Sequence, residues 1–286
     1  MNSPPNQRPV LITGCSSGIG LCAARGLSDR GYFVVASARK LEDVQRLREQ
    51  DGLHAVQLDL DDSASIARAL DETLALTGGK LYALFNNGAY GQPGAVEDLT
   101  RDVLRAQFET NLFGTIELTN RVIPLMRKQG YGRIVMDSSL LGFVTLPFRG
   151  AYNASKFALE GISDTLRLEL TGTGIHVSLI EPGPIESRFR ANAFAAYKKN
   201  IDVERSPHRE TYKKTESRLT KEGPVAPFTL PPEAVLKKVI HALESSCPRP
   251  RYYVTFPSHL FGALKRLLTT RALDRFLLRV SRGENK

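Results

Sequence analysis

Short apolar segments typical of buried strands alternate with helical segments along the first 183 residues of this 286-residue chain. The alternation constrains the fold strongly, because neighbouring parallel strands must be joined by crossovers, which are usually helices. It predicts an α/β fold in which a doubly wound, mostly parallel sheet is flanked by helices on both faces. The predicted strands are PVLITG, YFVVASA, HAVQLDL, KLYALFNN, GRIVMDSS and IHVSLIEPG, with a short late strand, RYYVTF.

The alternation crosses the middle of the chain without a linker, so we expect a single domain over residues 1–286. Its core would comprise residues about 9–185 and 232–256. A polar, basic segment at about 186–231 would cover the sheet, and a basic amphipathic extension would occupy 257–286. One long helical region, Thr100–Lys128, should bend at Pro124, because proline lacks the amide that continues a helix.

Charge is distributed unevenly along the chain. The whole chain has a net charge of +9, but residues 188–286 contain 21 Lys and Arg against 9 Asp and Glu. Such a surplus permits contact with nucleic acid or with anionic lipid. We find no nucleic-acid recognition motif and therefore expect no nucleic-acid binding.

The cysteines, histidines and apolar runs exclude several other classes of protein. Three cysteines are an odd number in a long chain, which indicates a reducing compartment, and we expect a cytoplasmic protein. No pair among the five histidines has metal-ligand spacing, so we expect no metal site. We find no signal peptide and no apolar run of the length that a spanning helix needs.

A glycine-rich turn follows the first predicted strand directly. Gly14, Gly18 and Gly20 lie in TGCSSGIG, between that strand and a helix. Glycine adopts the backbone angles of such a turn at low cost, and the turn lets a pyrophosphate approach the positive end of the helix. The spacing is G-x3-G-x-G, so a tight turn without a ligand stays an alternative to a dinucleotide site.

Two cations, Arg39 and Lys40, end the second predicted strand, and no acid precedes Glu42. An acid at this place would bind the ribose hydroxyl of NAD, whereas arginine suits the 2′-phosphate of NADP. Arginine can also bind phosphate bidentately. The pair therefore predicts NADP(H), with a solvated helix start as the alternative.

Several motifs occur together and in one order: TGCSSGIG, NNGA, Asn111, Ser139, YNASK and PGPIES. This combination resembles the short-chain dehydrogenase/reductase family in its single-domain branch. VLITGCSSGIGL, together with LPF before Tyr152, is similar to the 17β-hydroxysteroid and retinol dehydrogenase members. The resemblance covers about residues 9–187 and implies a Rossmann-like fold. It also implies that the segment at 186–231, here called the lid, covers the substrate.

Tyr152 and Lys156 are spaced to share one face of a predicted helix. Spacing alone leaves open a surface tyrosine and a solvated lysine, but the resemblance implies a catalytic pair. A nearby ammonium should lower the pKa of the phenol and suit it to proton transfer. Ser139 stands at the spacing of the family's catalytic serine, where its hydroxyl would bind the substrate oxygen. Lys156 would also hold the nicotinamide ribose.

The resemblance implies further residues, two of which have open alternatives. Asn111 would carry a water that links Lys156 to solvent, or it kinks or caps a helix. Asp59 would lie near the adenine, or it caps the next helix. The chain departs from the family in NNGA, where the family usually reads NNAG, and at Ser187, where the family favours threonine. The remaining implied cofactor-binding residues are Gly14, Ser16, Ser17, Gly18, Ile19, Gly20, Leu60, Asn87, Gly88, Tyr152, Lys156, Pro182, Gly183 and Ile185.

The lid and the C-terminal extension carry the substrate and partner predictions. Aromatic residues in the lid indicate an apolar, steroid-, retinoid- or lipid-like substrate, or else they pack the lid onto the domain. The extension has apolar residues at helical spacing with cations between them. We interpret it as an amphipathic helix pair that packs on the body or on a partner subunit, or as a cationic face that rests on anionic lipid. The lid aromatics are Phe189, Phe194, Tyr197, Tyr212 and Phe228.

Taken together, the sequence predicts an NADP(H)-dependent oxidoreductase that interconverts a ketone or aldehyde and an alcohol. Tyr152 would be the general acid or base, and a homo-oligomer, dimer or tetramer, is expected. The alternatives are a non-catalytic NADP-sensing protein and a peripheral membrane or interaction protein on the same scaffold. The substrate, the direction of reaction and the oligomeric state are left open by the sequence.

Overall fold

The computed structural model describes residues 8–221, 223 and 226–284. Within these residues seven strands form one parallel sheet in the order β3-β2-β1-β4-β5-β6-β7. The predicted fold class is therefore confirmed. The strands are β1 (Pro9–Ile12), β2 (Phe33–Ala38), β3 (His54–Gln57), β4 (Ala83–Asn86), β5 (Gly132–Asp137), β6 (Ile175–Glu181) and β7 (Arg251–Tyr253).

Helices cover both faces of the sheet, and the strand side chains alternate between two cores. In β1, Val10 and Ile12 pack against α1, α2 and α9, while Leu11 packs against α3, α5 and α6. Both faces of the sheet are thus buried, which explains why the strands are almost continuously apolar. The helices are α1 (Gly18–Asp29), α2 (Leu41–Glu49), α3 (Ser63–Leu76), α4 (Arg101–Phe108), α5 (Thr115–Gln129), α6 (Gly150–Glu169), α7 (Phe189–Asn200), α8 (Arg209–Thr220), α9 (Glu233–Glu244), α10 (Phe256–Leu267) and α11 (Thr270–Glu284).

Strand order reverses between β1 and β4, which are neighbours although two strands intervene in the chain. The segments that follow β1, β4, β5 and β6 consequently meet at one edge of the sheet. In open parallel sheets ligands bind at this place, outside the carboxyl ends of the strands. We call it the strand-end edge.

The long helical region predicted at Thr100–Lys128 is interrupted, but not where we expected. A π-helical turn, Glu109–Gly114, separates α4 from α5. Helix α5 runs through Pro124 as one helix, so the proline does not end the helix, and the bend expected there stays a prediction. Pro124 lies on the exposed side of α5, where water can bind the carbonyl that loses its helical partner.

The lid is more regular than its sequence indicated, whereas the C-terminal extension has the predicted form. The lid contains α7 and α8, which pack around the buried rings of Tyr197 and Tyr212. The extension forms the expected helix pair, α10 and α11. Among the described residues no helix combines the length and the apolar character needed to cross a bilayer.

Candidate active site

Ser139, Tyr152 and Lys156 come together at the strand-end edge. Helix α6 places Tyr152 and Lys156 one turn apart, with Nζ of Lys156 lying 5.8 Å from the centre of the Tyr152 ring. Ser139 follows β5 by two residues, and its side chain hydrogen-bonds with the Tyr152 phenol. The Ser139 hydroxyl is held in place because it also accepts a 3.1 Å hydrogen bond from the backbone amide of Leu141.

The electrostatics of the pair differ from the expectation in one respect. Burial raises the pKa of Tyr152 above its ordinary value, the nearby Asp137 raises it further, and the hydrogen bond with Ser139 lowers it. The expected lowering by Lys156 is absent. The ammonium is turned away to donate a 2.5 Å hydrogen bond to the backbone carbonyl of Asp137. Burial also lowers the pKa of Lys156, against the opposing effects of Asp137 and Glu160.

Asp137 is a functional candidate that the sequence analysis missed. It is the last residue of β5, and its carboxyl is buried with Oδ1 unpaired among the described residues. Burial raises the pKa of this carboxyl to about 7, while Lys156 lowers it. The sequence did contain a signal for this residue: an acid ends a buried strand and directly precedes two serines. Ionisable side chains are rarely buried without a partner, so an acid at this position indicates a special role.

A second group of buried carboxylates lies behind Lys156. Arg251, in β7, forms ion pairs with Glu160 and Asp164 of α6 and with Glu181 of β6. Burial and the neighbouring Glu160 raise the pKa of Glu181 to about 8. One guanidinium therefore fastens the helix that carries Tyr152 to two strands of the sheet.

Asn111 occupies the π-helical turn between α4 and α5 and is buried. Its Nδ2 donates to the Tyr90 carbonyl at 2.9 Å and to Ser155 Oγ at 3.2 Å, and its Oδ1 accepts from the Tyr90 amide at 3.1 Å. Asn111 thus lies at a helix irregularity and fixes the segment after β4. It makes no hydrogen bond to Lys156, so its role in carrying a water to that lysine stays a prediction.

The glycine-rich turn has the backbone that its sequence indicated. Gly14 and Gly18 have φ angles of +71° and +56°, and a Cβ on Gly20 would lie 2.3 Å from the Gly14 carbonyl oxygen. Thr13, which the sequence analysis passed over, ties the turn to the segment after β4. Its hydroxyl accepts from the amides of Asn87 at 2.9 Å and Gly88 at 2.8 Å. Thr13 therefore fixes the NNGA segment despite its departure from the family order.

The turn ends at the first residues of α1. Ser17 precedes α1, whose first turn contains no acid. Ser16 is fixed from behind, since its carbonyl accepts a 2.6 Å hydrogen bond from Arg46. Ile19 packs against the core below. A helix N-terminus approached through glycines suits a pyrophosphate, so these residues fit a dinucleotide.

Arg39 and Lys40 follow β2, and Asp59 follows β3; the three side chains differ in their contacts. Arg39 is exposed and forms no ion pair with a described residue, whereas Lys40 pairs with Glu42 at 3.0 Å. Asp59 is not the cap of α3. That position belongs to Asp62, whose side chain accepts from the Ala64 amide.

Leu60 packs under the same edge. It is 7% exposed, and its side chain lies against Gly88, where a Cβ would be 3.1 Å from its Cδ1. Gly114 approaches the Leu60 carbonyl so closely that a Cβ would lie 1.8 Å from the oxygen. Leu60 thus supports the segments after β3 and β4 rather than facing outward.

The segment after β6 crosses over the site. The Pro182 carbonyl accepts a 2.8 Å hydrogen bond from Leu140, and a Cβ on Gly183 would lie 2.2 Å from Thr255 Oγ1. Ser187 faces the glycine turn, where a Cβ on Gly18 would lie 2.8 Å from the Ser187 Cβ. Between them, Ile185 pairs with Leu230 in an isolated bridge, and Leu230 closes the far end of the lid.

The lid aromatics divide into two groups. Phe189 lies edge-on to the catalytic tyrosine, with ring centres 5.3 Å apart, and it fills the space in front of Gly91. The other four pack the lid itself or the neighbouring helix: Phe194, Tyr197 and Tyr212 within the lid core and Phe228 against Phe256. The packing alternative therefore applies to these four residues, and the substrate role of Phe189 stays a prediction.

Comparisons with known proteins identify the family. The family model described as short chain dehydrogenase matches residues 8–198. The uncharacterized oxidoreductase YbbO of Escherichia coli (strain K12) is 45% identical over 273 residues, which cover 95% of this chain and 94% of YbbO. Human 17-beta-hydroxysteroid dehydrogenase type 1 is 37% identical over 204 residues, which cover 68% of this chain and 61% of that protein.

The fold comparison gives the same assignment. The crystal structure of a short-chain dehydrogenase from Streptomyces avermitilis superposes with a TM-score of 0.73 at 28% identity, covering 96% of this chain and 98% of that one. A nicotinamide dinucleotide is the cofactor class that the family supports. The chain is an oxidoreductase that belongs to the short-chain dehydrogenase/reductase family.

Proposed function

We propose that the protein is an NADP(H)-dependent oxidoreductase that interconverts an apolar ketone or aldehyde and the corresponding alcohol. The observation that carries the proposal is the meeting of Ser139, Tyr152 and Lys156 at the strand-end edge. When bound, the reduced nicotinamide supplies the hydride. The glycine turn, Ser187 and Lys156 surround the place where the cofactor would bind.

The side chains then divide the work of proton transfer. The hydroxyls of Ser139 and Tyr152, which interact with one another, would both bind the substrate oxygen. Tyr152 gives its proton to that oxygen as negative charge develops there. Lys156, whose Nζ lies 5.8 Å from the centre of the phenol ring, would hold the nicotinamide ribose beside them.

The surroundings of Tyr152 favour the protonated phenol. Burial and the neighbouring Asp137 both raise the pKa of the phenol, so the protonated form is stabilised. The protonated phenol is the form that acts as an acid toward a carbonyl, whereas oxidation of an alcohol uses the phenolate as a base.

The cofactor preference rests on Arg39. This cation ends β2, is exposed and is free of ion pairs with described residues. It is consequently available to the 2′-phosphate of NADP(H), which it can bind with two parallel hydrogen bonds. Lys40 is already paired with Glu42 and would contribute less.

The apolar nature of the substrate rests on the wall in front of Tyr152. Phe189 contacts the Tyr152 ring directly. A substrate with an alkyl or ring system beside its carbonyl would bury apolar surface against the Phe189 ring.

A homo-oligomer is the remaining part of the proposal. Phe113 and Ile162, which are 52% and 37% exposed, line a groove between α5 and α6. Exposed apolar surface of this kind is typical of subunit contacts. Light scattering should report a dimer or a tetramer, and Ile162→Asp should shift it toward monomer. A monomeric wild-type protein would contradict this part alone.

The decisive test replaces one hydroxyl. Tyr152→Phe should reduce turnover of ketones with NADPH by about 10²–10⁴-fold, because the proton donor is lost while the ring remains. NADPH binding, followed by fluorescence, should be retained. Tyr131→Phe is the matched control, since this exposed tyrosine lies outside the site. Activity that survives Tyr152→Phe, or binding without turnover across a broad ketone panel, would overturn the proposal.

A further inference from the structure

The two C-terminal helices are amphipathic, and their apolar sides are already used. Leu273, Phe276, Leu277 and Val280 of α11 pack with Phe261 of α10 in one hydrophobic cluster. This cluster also contains Leu140 and Val144, which directly follow the catalytic Ser139. The two interpretations of the extension are therefore compatible, because body packing leaves the opposite side of α11 free.

That opposite side carries four arginines, Arg271, Arg275, Arg279 and Arg282, which we call the arginine face. The first three are spaced four residues apart and Arg282 follows three residues later, so all four share one side of the helix. All four are exposed, and none forms an ion pair with a described residue. Asp274, the acid on α11 whose side chain is described, is not paired with them either. A further arginine, Arg266, lies at the end of α10.

Two exposed leucines accompany these cations. Leu267, at the turn between α10 and α11, is 80% exposed, and Leu278, on the outward side of α11, is 47% exposed. A nucleic-acid backbone would bind the arginines but leave the leucines in water. A bilayer offers anionic headgroups to the guanidinium groups and an apolar layer just beneath to the leucines.

We propose that the arginine face docks on a bilayer containing anionic lipid. The reason is the combination of unpaired arginines on one exposed helix side with leucines exposed beside them. The helix pair that would dock on the lipid also packs on the segment after Ser139. The inference goes beyond the proposed reaction and does not depend on it, since lipid binding requires no turnover.

Vesicle co-sedimentation of the full chain tests the proposal. Wild-type protein should sediment with phosphatidylcholine vesicles that contain phosphatidylglycerol at least about tenfold more than with pure phosphatidylcholine vesicles, and salt should weaken the binding. The triple variant Arg271→Glu/Arg275→Glu/Arg279→Glu should lose this binding. Equal sedimentation with both vesicle types would overturn the proposal.

A matched control separates the arginine face from net charge. Lys80→Glu/Arg127→Glu/Lys128→Glu reverses three exposed cations elsewhere and should leave vesicle binding within about twofold of wild type. Circular dichroism checks that both variants fold. Equal losses in the two variants would show a net-charge effect and would refute the docking face. Binding to duplex DNA but not to anionic vesicles would refute it as well.

Two further measurements sharpen the result. Leu267→Ser should weaken the part of the binding that persists at high salt, because that part comes from apolar contact. Turnover of a water-soluble ketone should be the same in the arginine-face variant and in wild type. If no ketone is turned over but vesicles are bound, the proposed reaction fails and the docking face stands.

Discussion

The strand-end edge and the lid are held in place by different kinds of contact. At the edge, backbone groups are fixed by short polar links, such as those from Thr13 to Asn87 and Gly88. The lid is fixed by large buried rings, and its polar links to the body include the Tyr212 hydroxyl, which contacts Asp98 and the Ala95 amide. The edge therefore tolerates no change of backbone, whereas the lid should tolerate changes that preserve its volume.

The largest effect is expected at the edge, from one methyl group. Gly114→Ala should lower the free energy of unfolding by about 3 kcal/mol or prevent folding, because its Cβ would lie 1.8 Å from the Leu60 carbonyl oxygen. Urea denaturation measures the change. Gly161→Ala in α6 is the control, since no atom lies within 4 Å of its Cβ, and it should be neutral or stabilising. Equal stability of the two variants would contradict this account of the edge.

The second-largest effect is expected where the strand-end edge would bind the cofactor. Arg39→Ala should raise the KM for NADPH by about 10–100-fold and leave the KM for NADH within about twofold, because one charge-assisted contact to the 2′-phosphate is lost. Steady-state kinetics with both cofactors measures the change. Lys40→Ala should have a smaller effect, since Lys40 is paired with Glu42. Equal changes for both cofactors would remove the role assigned to Arg39.

The lid should respond to loss of a single hydroxyl. Tyr212→Phe keeps the buried ring but leaves Asp98 and the Ala95 amide without this partner, at a cost of about 1–3 kcal/mol. Limited proteolysis should then cut the lid before the rest of the chain. Tyr197→Phe is the control, because the Tyr197 hydroxyl has no partner among the described residues. Proteolysis at equal rates in both variants would show that the hydroxyl link is unimportant.

The smallest effect is a shift along the pH axis. Asp137→Asn removes a negative charge that raises the pKa of Tyr152, so that pKa should fall. Reduction needs the protonated phenol, and its alkaline limb should therefore move to lower pH. A pH profile of kcat measures the shift. An unchanged profile would remove Asp137 from the site.

The same substitution has a consequence for stability. The pKa of Asp137 is raised from 3.8 to about 7 in the folded protein, so between these values the folded state binds the proton more tightly than the unfolded state. Stability should consequently fall as pH rises through this window, and Asp137→Asn should flatten the fall. Thermal melts from acid to neutral pH compare the two proteins.

Much of the edge could be predicted because each chemical group lies where a strand ends. Gly14, Ser139 and Tyr152 are marked by the strand or helix beside them, and the structure brings these residues together. Their roles remain predictions, since the geometry positions them without testing turnover. The sequence analysis missed Thr13 and Asp137, because each looks like the polar residue that ends an apolar strand. The hydrogen bond from the Asn87 amide to Thr13 and the burial of the Asp137 carboxyl are visible only in the structure.

The lid could not be predicted to the same degree. Helix α7 combines Ala193 and Tyr197 with many polar residues and has no continuous apolar stripe. Its stability comes from tertiary contacts around the Tyr197 and Tyr212 rings, which sequence periodicity does not show. The same reasoning explains why α5 continues through Pro124. The proline lies on the exposed side of the helix, and which side is exposed depends on packing.

The π-helical turn at Glu109–Gly114 carries one residue more than an α-helical turn would need. Deleting a residue there would let α4 and α5 join as one regular helix, with the faces of both helices kept and the wide turn removed. The amide of Asn111 would then leave the Tyr90 backbone, and Gly114 would leave the Leu60 carbonyl. A frame-preserving loss of a single codon in this turn should thus disable the enzyme while every catalytic side chain is still encoded.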